Sequence, residues 1–262
     1  MRVAADLIGM TLTVPVPPTM RNLREVIHSR AIQPTFQPVV HLEDGVVKAY
    51  EALARFDKEK FPSPADAFAA ATQAGIGVEL ELLALQRAFA HLDEMPAGAW
   101  LSANLSVDAL LTPEVSETLL RHASRRIAVE LTEHAQVHDY PAVVRVTEAL
   151  RAAGILIAVD DAGAGFASLS HILQLRPDII KLDITLTRGI DADPVRMALA
   201  RSLVGFAADI GAMLIAEGIE TVEEHEKLRA LGVRLGQGYF LARPGPLPDR
   251  AEIETPALRT RG

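Results

Sequence analysis

Acidic and amide side chains recur at the carboxyl ends of apolar runs in this chain. Ile155–Val159 ends in Asp160-Asp161, and Asp178–Leu182 carries Lys181 and ends in Asp183. Met213–Ala216 ends in Glu217, Ile127–Val129 in Glu130, Trp100–Ala103 in Asn104 and Val46–Tyr50 in Glu51. Oxygen ligands this far apart in sequence meet only if a parallel barrel gathers its strand ends on one face, where (β/α)8 barrels build their active sites. Carboxylates gathered so closely could not all stay ionised without cations, so the pattern predicts a divalent-metal site. An isolated Asp-Asp pair reads more simply as a turn or a helix cap. Glu130, Asp183 and Glu217 at equivalent positions favour the metal.

Other residues suit the same chemistry. Lys181 and Asp183 are two apart, so a strand points both to one side, and an inward lysine needs an anionic neighbour. Arg55 follows Glu51 by four residues, and its planar fork can hold a phosphate. Gln37-Pro38 and Gly236-Gln237-Gly238 place amides beside residues that shape the backbone, as polar-ligand binding requires. The histidines, among them His122, His134, His138, His171 and His225, show no H-x-x-x-H spacing and read as solvated or satisfied rather than as ligands.

The elements that must position these groups are partly punctuated. From Gln33 onward, strand-like and helical runs alternate, which predicts an α/β fold with parallel strands. Asp139–Ala153 has Val143, Val144 and Leu150 on a helical period and stops at Gly154. Asp193 can cap a helix with Pro194 at its first position, Gly211 past its end, and a stripe of Val195, Leu199, Leu203 and Phe206. Thr221-Val222-Glu223-Glu224 is a capping box whose helix ends at Gly232, and Val78–Met95 reads as one long helix. Ile155–Val159 and Met213–Ala216 are unbroken apolar runs, as in a barrel wall covered by helices. A doubly wound open sheet is the alternative, but it collects ligands at one switch point.

The chain has 262 residues, a usual length for one such barrel, and 49% of them are hydrophobic. A net charge of −8 argues against polymeric nucleic acid and against a polybasic membrane contact. There are no cysteines, which excludes a thiolate zinc site and fits a cytoplasmic location. The apolar stretch Val3–Val16 is broken by Asp6 and Pro15, too short for a membrane span and a poor signal peptide. Residues 1–20 read as a terminal element or as a linker from an upstream sensory domain, with Pro15-Val16-Pro17-Pro18 as its Pro-rich part. Residues 21–250 form the barrel and 251–262 a tail; Pro244–Gly262, with four prolines, is expected to be partly irregular.

Taken together in order, these residues resemble the EAL-domain cyclic-di-GMP phosphodiesterases. The resemblance rests on Glu51-Ala52-Leu53 with Arg55, Asn104-Leu105-Ser106, Glu130-Leu131-Thr132-Glu133 and Asp160-Asp161. It continues through Pro177–Asp183, Ala216-Glu217-Gly218-Ile219-Glu220 and Gly236-Gln237-Gly238. It implies a modified (β/α)8 TIM-like barrel that hydrolyses cyclic di-GMP to linear pGpG with two Mg²⁺ or Mn²⁺ ions per site. Glu51, Asn104, Glu130 and Asp160 would bind one metal, and Asp160, Asp161 and Glu217 the other, with Asp183 close by. Lys181 would touch the attacking water, Gln37, Arg55 and Gln237 the substrate, and Glu133 would pin the loop after Asp161. A homodimer is implied as well. The charges agree: six carboxylates carry −6, and two divalent ions with Lys181 and Arg55 carry +6.

One segment departs from the family's D-D-F-G-T-G-Y-S-S-L. Here Ala162-Gly163-Ala164-Gly165-Phe166 follows Asp160-Asp161, and the hydrogen bonds that would order the loop are fewer. The departure leaves every metal ligand in place but bears on metal affinity and on coupling to dimerisation. Two rivals are weighed. A catalytically weak or inactive EAL-type module that only senses cyclic di-GMP would be favoured by loss of a ligand, and none is lost. A metal-dependent lyase of the enolase type gives no joint role to Gln37, Arg55 and Gln237.

Overall fold

The computed structural model describes residues 18–131, 137, 139–162 and 166–247, with 18, 161, 162 and 166–169 described by their backbone alone. Eight strands close into a barrel in chain order: β1 (Gln33–His41), β2 (Val47–Arg55), β3 (Trp100–Leu105), β4 (Ile127–Leu131), β5 (Leu156–Ala162), β6 (Ile179–Leu182), β7 (Met213–Ala216) and β8 (Leu235–Gly236). Helix α1 (Pro18–Ser29) precedes them. Between strands lie α2 (Pro64–Gln73), α3 (Gly77–Phe89), α4 (Val107–Leu110), α5 (Pro113–Arg121), α6 (Tyr140–Ala152), α7 (Phe166–Leu175), α8 (Ile184–Thr187), α9 (Pro194–Ile210) and α10 (Val222–Ala230). No helix among the described residues is long and apolar enough to cross a membrane.

The expected barrel is present with one modification. Strand β1 is antiparallel to both β2 and β8, whereas β2 through β8 pair in parallel. Parallel neighbours need a crossover of about a dozen residues or more. The chain between His41 and Val47 is too short for one. Asp44 accepts a hydrogen bond from the Val46 N–H at 3.0 Å and Gly45 takes φ 73°, which turns the chain back as a hairpin. Strand and helix therefore do not alternate from Gln33 onward, as the sequence predicts, but only after β2. The strands also run further than the apolar runs, so that Glu51, Asn104, Glu130 and Asp160 lie within them.

The helix punctuation is realised where capping chemistry is explicit. Asp139 caps α6 through the Ala142 N–H, and Asp193 caps α9 through the N–H groups of Val195 and Arg196. Gly211 ends α9 in the left-handed conformation, and Thr221 and Glu224 form the reciprocal box that opens α10. Two expectations are corrected. Val78–Met95 is not one helix: α3 ends at Phe89, a short 3-10 turn covers Leu92–Glu94, and Met95 is extended at ψ 135°. Pro96 follows Met95 and excludes the helical conformation there. The expected stripe of α9 faces the core only in its second half. Val195 and Leu199 are exposed, whereas Leu203 is buried and Phe206 packs against the core, joined by Ala200 and Ala207, whose small side chains let the helix approach the wall closely.

The barrel interior is layered by the pleat. Val39, Ala49, Trp100, Ala128, Ala158, Ile179, Ile215 and Leu235, one from each strand, form a buried apolar cluster that plugs the lumen. Alternation puts the residue two positions away on the same face. One step toward the carboxyl ends of β2 to β8, and toward the amino end of the reversed β1, that residue is Gln37, Glu51, Ser102, Glu130, Asp160, Lys181, Glu217 or Gln237. An apolar ring thus supports a polar ring. Residues pointing outward, such as Val40, Tyr50, Leu101, Val129, Ile157 and Ile180, pack in the larger core beneath the helices.

Candidate active site

Lys181 is the centre of the polar ring. Its side chain is 1% exposed, and Nζ lies 2.6 Å from Glu130 Oε2, 2.7 Å from Glu217 Oε1, 3.4 Å from Asp160 Oδ1 and 3.7 Å from Glu51 Oε2. Four carboxylates, three on strands and Glu217 just past β7, thus surround one ammonium. Amides brace them: Asn104 Nδ2 donates to Glu51 Oε1 at 2.8 Å, and Gln237 Nε2 to Glu51 Oε2 at 2.7 Å and Glu217 Oε1 at 3.3 Å. Ser102 Oγ donates to Glu130. Sequence reasoning missed Ser102, although its signal was present: it lies two residues before Asn104 on the same face of β3. Gln237 is held between Gly236 and Gly238 because no Cβ fits there. One on Gly236 would meet Ile219 Cδ1 at 2.6 Å, and one on Gly238 the Ile219 carbonyl oxygen at 2.1 Å.

Burial dominates the electrostatics. It pushes Glu130 up to about 8, with Glu51 and Asp160 acting in the same direction and Lys181 opposing. Burial also raises Glu217 well above the usual carboxylate range, again against the pull of Lys181. For Lys181, burial favours the neutral amine, but the carboxylates outweigh it, led by Glu130 and Glu217, and hold the ammonium well above its ordinary range. One lysine cannot neutralise four carboxylates within 4 Å, so their mutual repulsion adds to the burial that raises Glu130 and Glu217. The donors are hard oxygens fixed on strands, a set suited to Mg²⁺ or Mn²⁺. The residues therefore fit the expected cation site, with Lys181 occupying the space between them.

The other expected residues fall around this cluster. Gln37 pairs with Glu51 in the β1–β2 register, and its Nε2 donates to the Ala242 carbonyl at 3.2 Å. Gln37, Glu217 and Gln237 line one cavity of about 310 Å³ with Tyr239, and Arg55 and Asn104 line another of about 310 Å³ with Phe68. The first space takes in Glu217 of the cluster, and the second takes in Asn104, which bonds Glu51. Arg55 donates to the Ala54 carbonyl at 3.1 Å and is not brought to the cluster. Asp183 is buried but caps α8, its Oδ1 accepting from the Thr185 N–H at 2.8 Å. It is therefore not the partner of Lys181 that the spacing predicts, because the helix start takes its carboxylate. Asp161 lies in β5 by its backbone; its side chain, Glu133 and residues 163–165 lie outside the described residues. His122, His171 and His225 bond Thr118 O, Tyr140 Oη and Leu42 O, respectively, away from the cluster, while His134 and His138 lie outside the described residues.

Barrel and cluster together define an α/β-barrel protein whose mouth is lined by buried carboxylates around one lysine. The chain belongs to the EAL domain family, whose model matches residues 20–244. It is 31% identical, over 83% of its length and 39% of the relative's, to a cyclic di-GMP phosphodiesterase of Pseudomonas aeruginosa. It is 27% identical, over 88% of its length and 48% of the relative's, to the probable cyclic di-GMP phosphodiesterase PdeG of Escherichia coli. The chain thus spans about half or less of these relatives. Among solved structures, the calcium and cyclic di-GMP complex of Klebsiella pneumoniae BlrP1 matches with a TM-score of 0.74 at 33% identity, covering 82% of this chain and 56% of that one. The Xanthomonas citri FimX EAL domain, 20% identical over 87% of this chain and 94% of its own, shares the fold with a TM-score of 0.77.

Proposed function

We propose that this chain is a metal-dependent phosphodiesterase that hydrolyses cyclic di-GMP to linear pGpG. The observation that carries the reading is the buried ring of Glu51, Glu130, Asp160 and Glu217 around Lys181, at the mouth where barrel chemistry is built. Two Mg²⁺ or Mn²⁺ ions, held by Glu51, Asn104, Glu130 and Asp160 and by Asp160, Asp161 and Glu217, would supply Lewis-acid stabilisation and activate water at neutral pH.

The chain's own residues do the rest. Lys181 Nζ donates hydrogen bonds toward the attacking water and keeps the carboxylates from repelling one another. Ser102 fixes the orientation of Glu130 through its hydroxyl, a support that ligating carboxylates commonly need. Gln37 and Gln237 hold one side of the substrate and Arg55 grips a phosphate on the other, in keeping with the separate cavities these residues line. Glu133 orders the segment after Asp161, and Asp183 completes the acidic rim. A homodimer, a cytoplasmic location and an upstream sensory domain belong to the same reading, and sedimentation of the purified chain tests the first.

The deciding experiment incubates the purified chain with cyclic di-GMP and Mg²⁺ or Mn²⁺ and separates the products. Linear pGpG, lost on chelation, is expected. Binding of cyclic di-GMP without cleavage under every metal would replace the enzyme with a sensor module.

A further inference from the structure

The end of the barrel opposite the carboxylates carries a separate cavity, of about 500 Å³, between the lower ends of the strands and the last turns of α9. Its size lies in the range of small-ligand sites, roughly 300–1,000 Å³. Val204, Ala207 and Met213 give it apolar walls, and Lys48 and Arg234 bring two cations to it. Arg234 is exposed, and its side chain has no hydrogen bond or ion pair among the described residues. The nearby carboxylate, Asp44, is engaged by His41 at 2.9 Å as well as attracted by Lys48. Trp100, which plugs the lumen, also lines this cavity; it is 6% exposed, and its Nε1 has no hydrogen-bond partner. A buried donor left unpaired costs about 1–3 kcal/mol, so a native site that keeps one calls for a reason.

We propose that this cavity binds an organic anion with an apolar body, such as a medium-chain carboxylate. The tail lies against the α9 and β7 walls, and the head group meets Lys48 and Arg234. No activity at the carboxylate mouth is needed for the proposal. It concerns strands β2, β3, β7 and β8 at the ends away from Glu51, Asn104, Glu217 and Gln237.

Trp100 is the single tryptophan of the chain, so its emission reports on this cavity directly. Octanoate and its neutral analogue 1-octanol are titrated into the full chain. Octanoate is expected to shift the emission saturably and to bind more tightly than octanol. The double variant Lys48→Ala/Arg234→Ala should weaken octanoate about tenfold, equivalent to ~1.4 kcal/mol. Ala208→Phe, made at an exposed position on the rim, should weaken both compounds by filling space. No saturable shift, equal affinity for octanoate and octanol, or unchanged midpoints in both well-folded variants would each overturn the proposal.

Discussion

At the scale of single residues, the site is a problem of like charges kept together. Among the described residues, Lys181 is the one ammonium within reach of Glu51, Glu130, Asp160 and Glu217. Removing one member of a buried ionic cluster costs about 3–5 kcal/mol because it strands its partners. Lys181→Met is therefore expected to lower the denaturant midpoint in chelator, and Mn²⁺ should restore part of the loss by taking over as counter-charge. An unchanged midpoint in chelator would show that the acids are already neutral and need no lysine. Under the proposed chemistry the same substitution lowers kcat more than it raises KM, because a group that orients the water acts mainly in the transition state. Glu51→Ala and Asp160→Ala relieve repulsion instead. Both should abolish hydrolysis while leaving the circular-dichroism spectrum of the barrel intact. Near wild-type turnover in Mg²⁺ would remove either residue from the ligand set.

At the scale of elements, α10 is tied to the β1–β2 hairpin by a buried histidine. His225 is 1% exposed, and its Nε2–H donates to the Leu42 carbonyl at 3.1 Å. Burial holds its pKa below 6.5, and Arg229 acts in the same direction, while the Leu42 bond, Glu226 and Glu43 oppose. A depressed folded pKa means that the unfolded chain takes up the proton first as the solution is acidified. The stability this group contributes is complete above about pH 6.5 and is lost as the pH falls through the folded pKa. The stability difference between the wild type and His225→Phe should thus shrink on acidification from pH 7.5 through 6 and below. A difference independent of pH across that span would mean that His225 packs without titrating.

At the scale of the whole molecule, cation binding at the mouth should be read by global stability, since polar side chains on or just after β2, β3, β4, β5 and β7 converge there. A cation that binds only the folded barrel stabilises it by about 2.7 kcal/mol at a hundred times its Kd. Mg²⁺ or Mn²⁺ should raise the melting temperature of the wild type, and Asp160→Ala should abolish the rise. Equal metal-induced shifts in wild type and variant would place the binding elsewhere.

What the sequence determined by itself was chemistry carried by local pattern. Asp139, Asp193 and Thr221 cap helices, and Glu51, Glu130, Asp160, Lys181 and Glu217 are two-residue steps from apolar positions on strands. Those periods are properties of the backbone and need no tertiary knowledge. The hairpin at Asp44-Gly45 broke the alternation expected from Gln33 onward, because a reversal that short leaves no room for a crossover helix. Only the closed barrel decided the rest. Which carboxylate reaches Lys181 depends on strand tilt and on competition from helix starts, and that competition took Asp183 for the cap of α8. Ser102 became part of the site because β3 and β4 lie side by side. The buried face of α9 kept Leu203 but exchanged Val195 and Leu199 for Ala200 and Ala207, because close approach to the wall outweighs side-chain size. Each of these is a choice between packings that one segment cannot make alone.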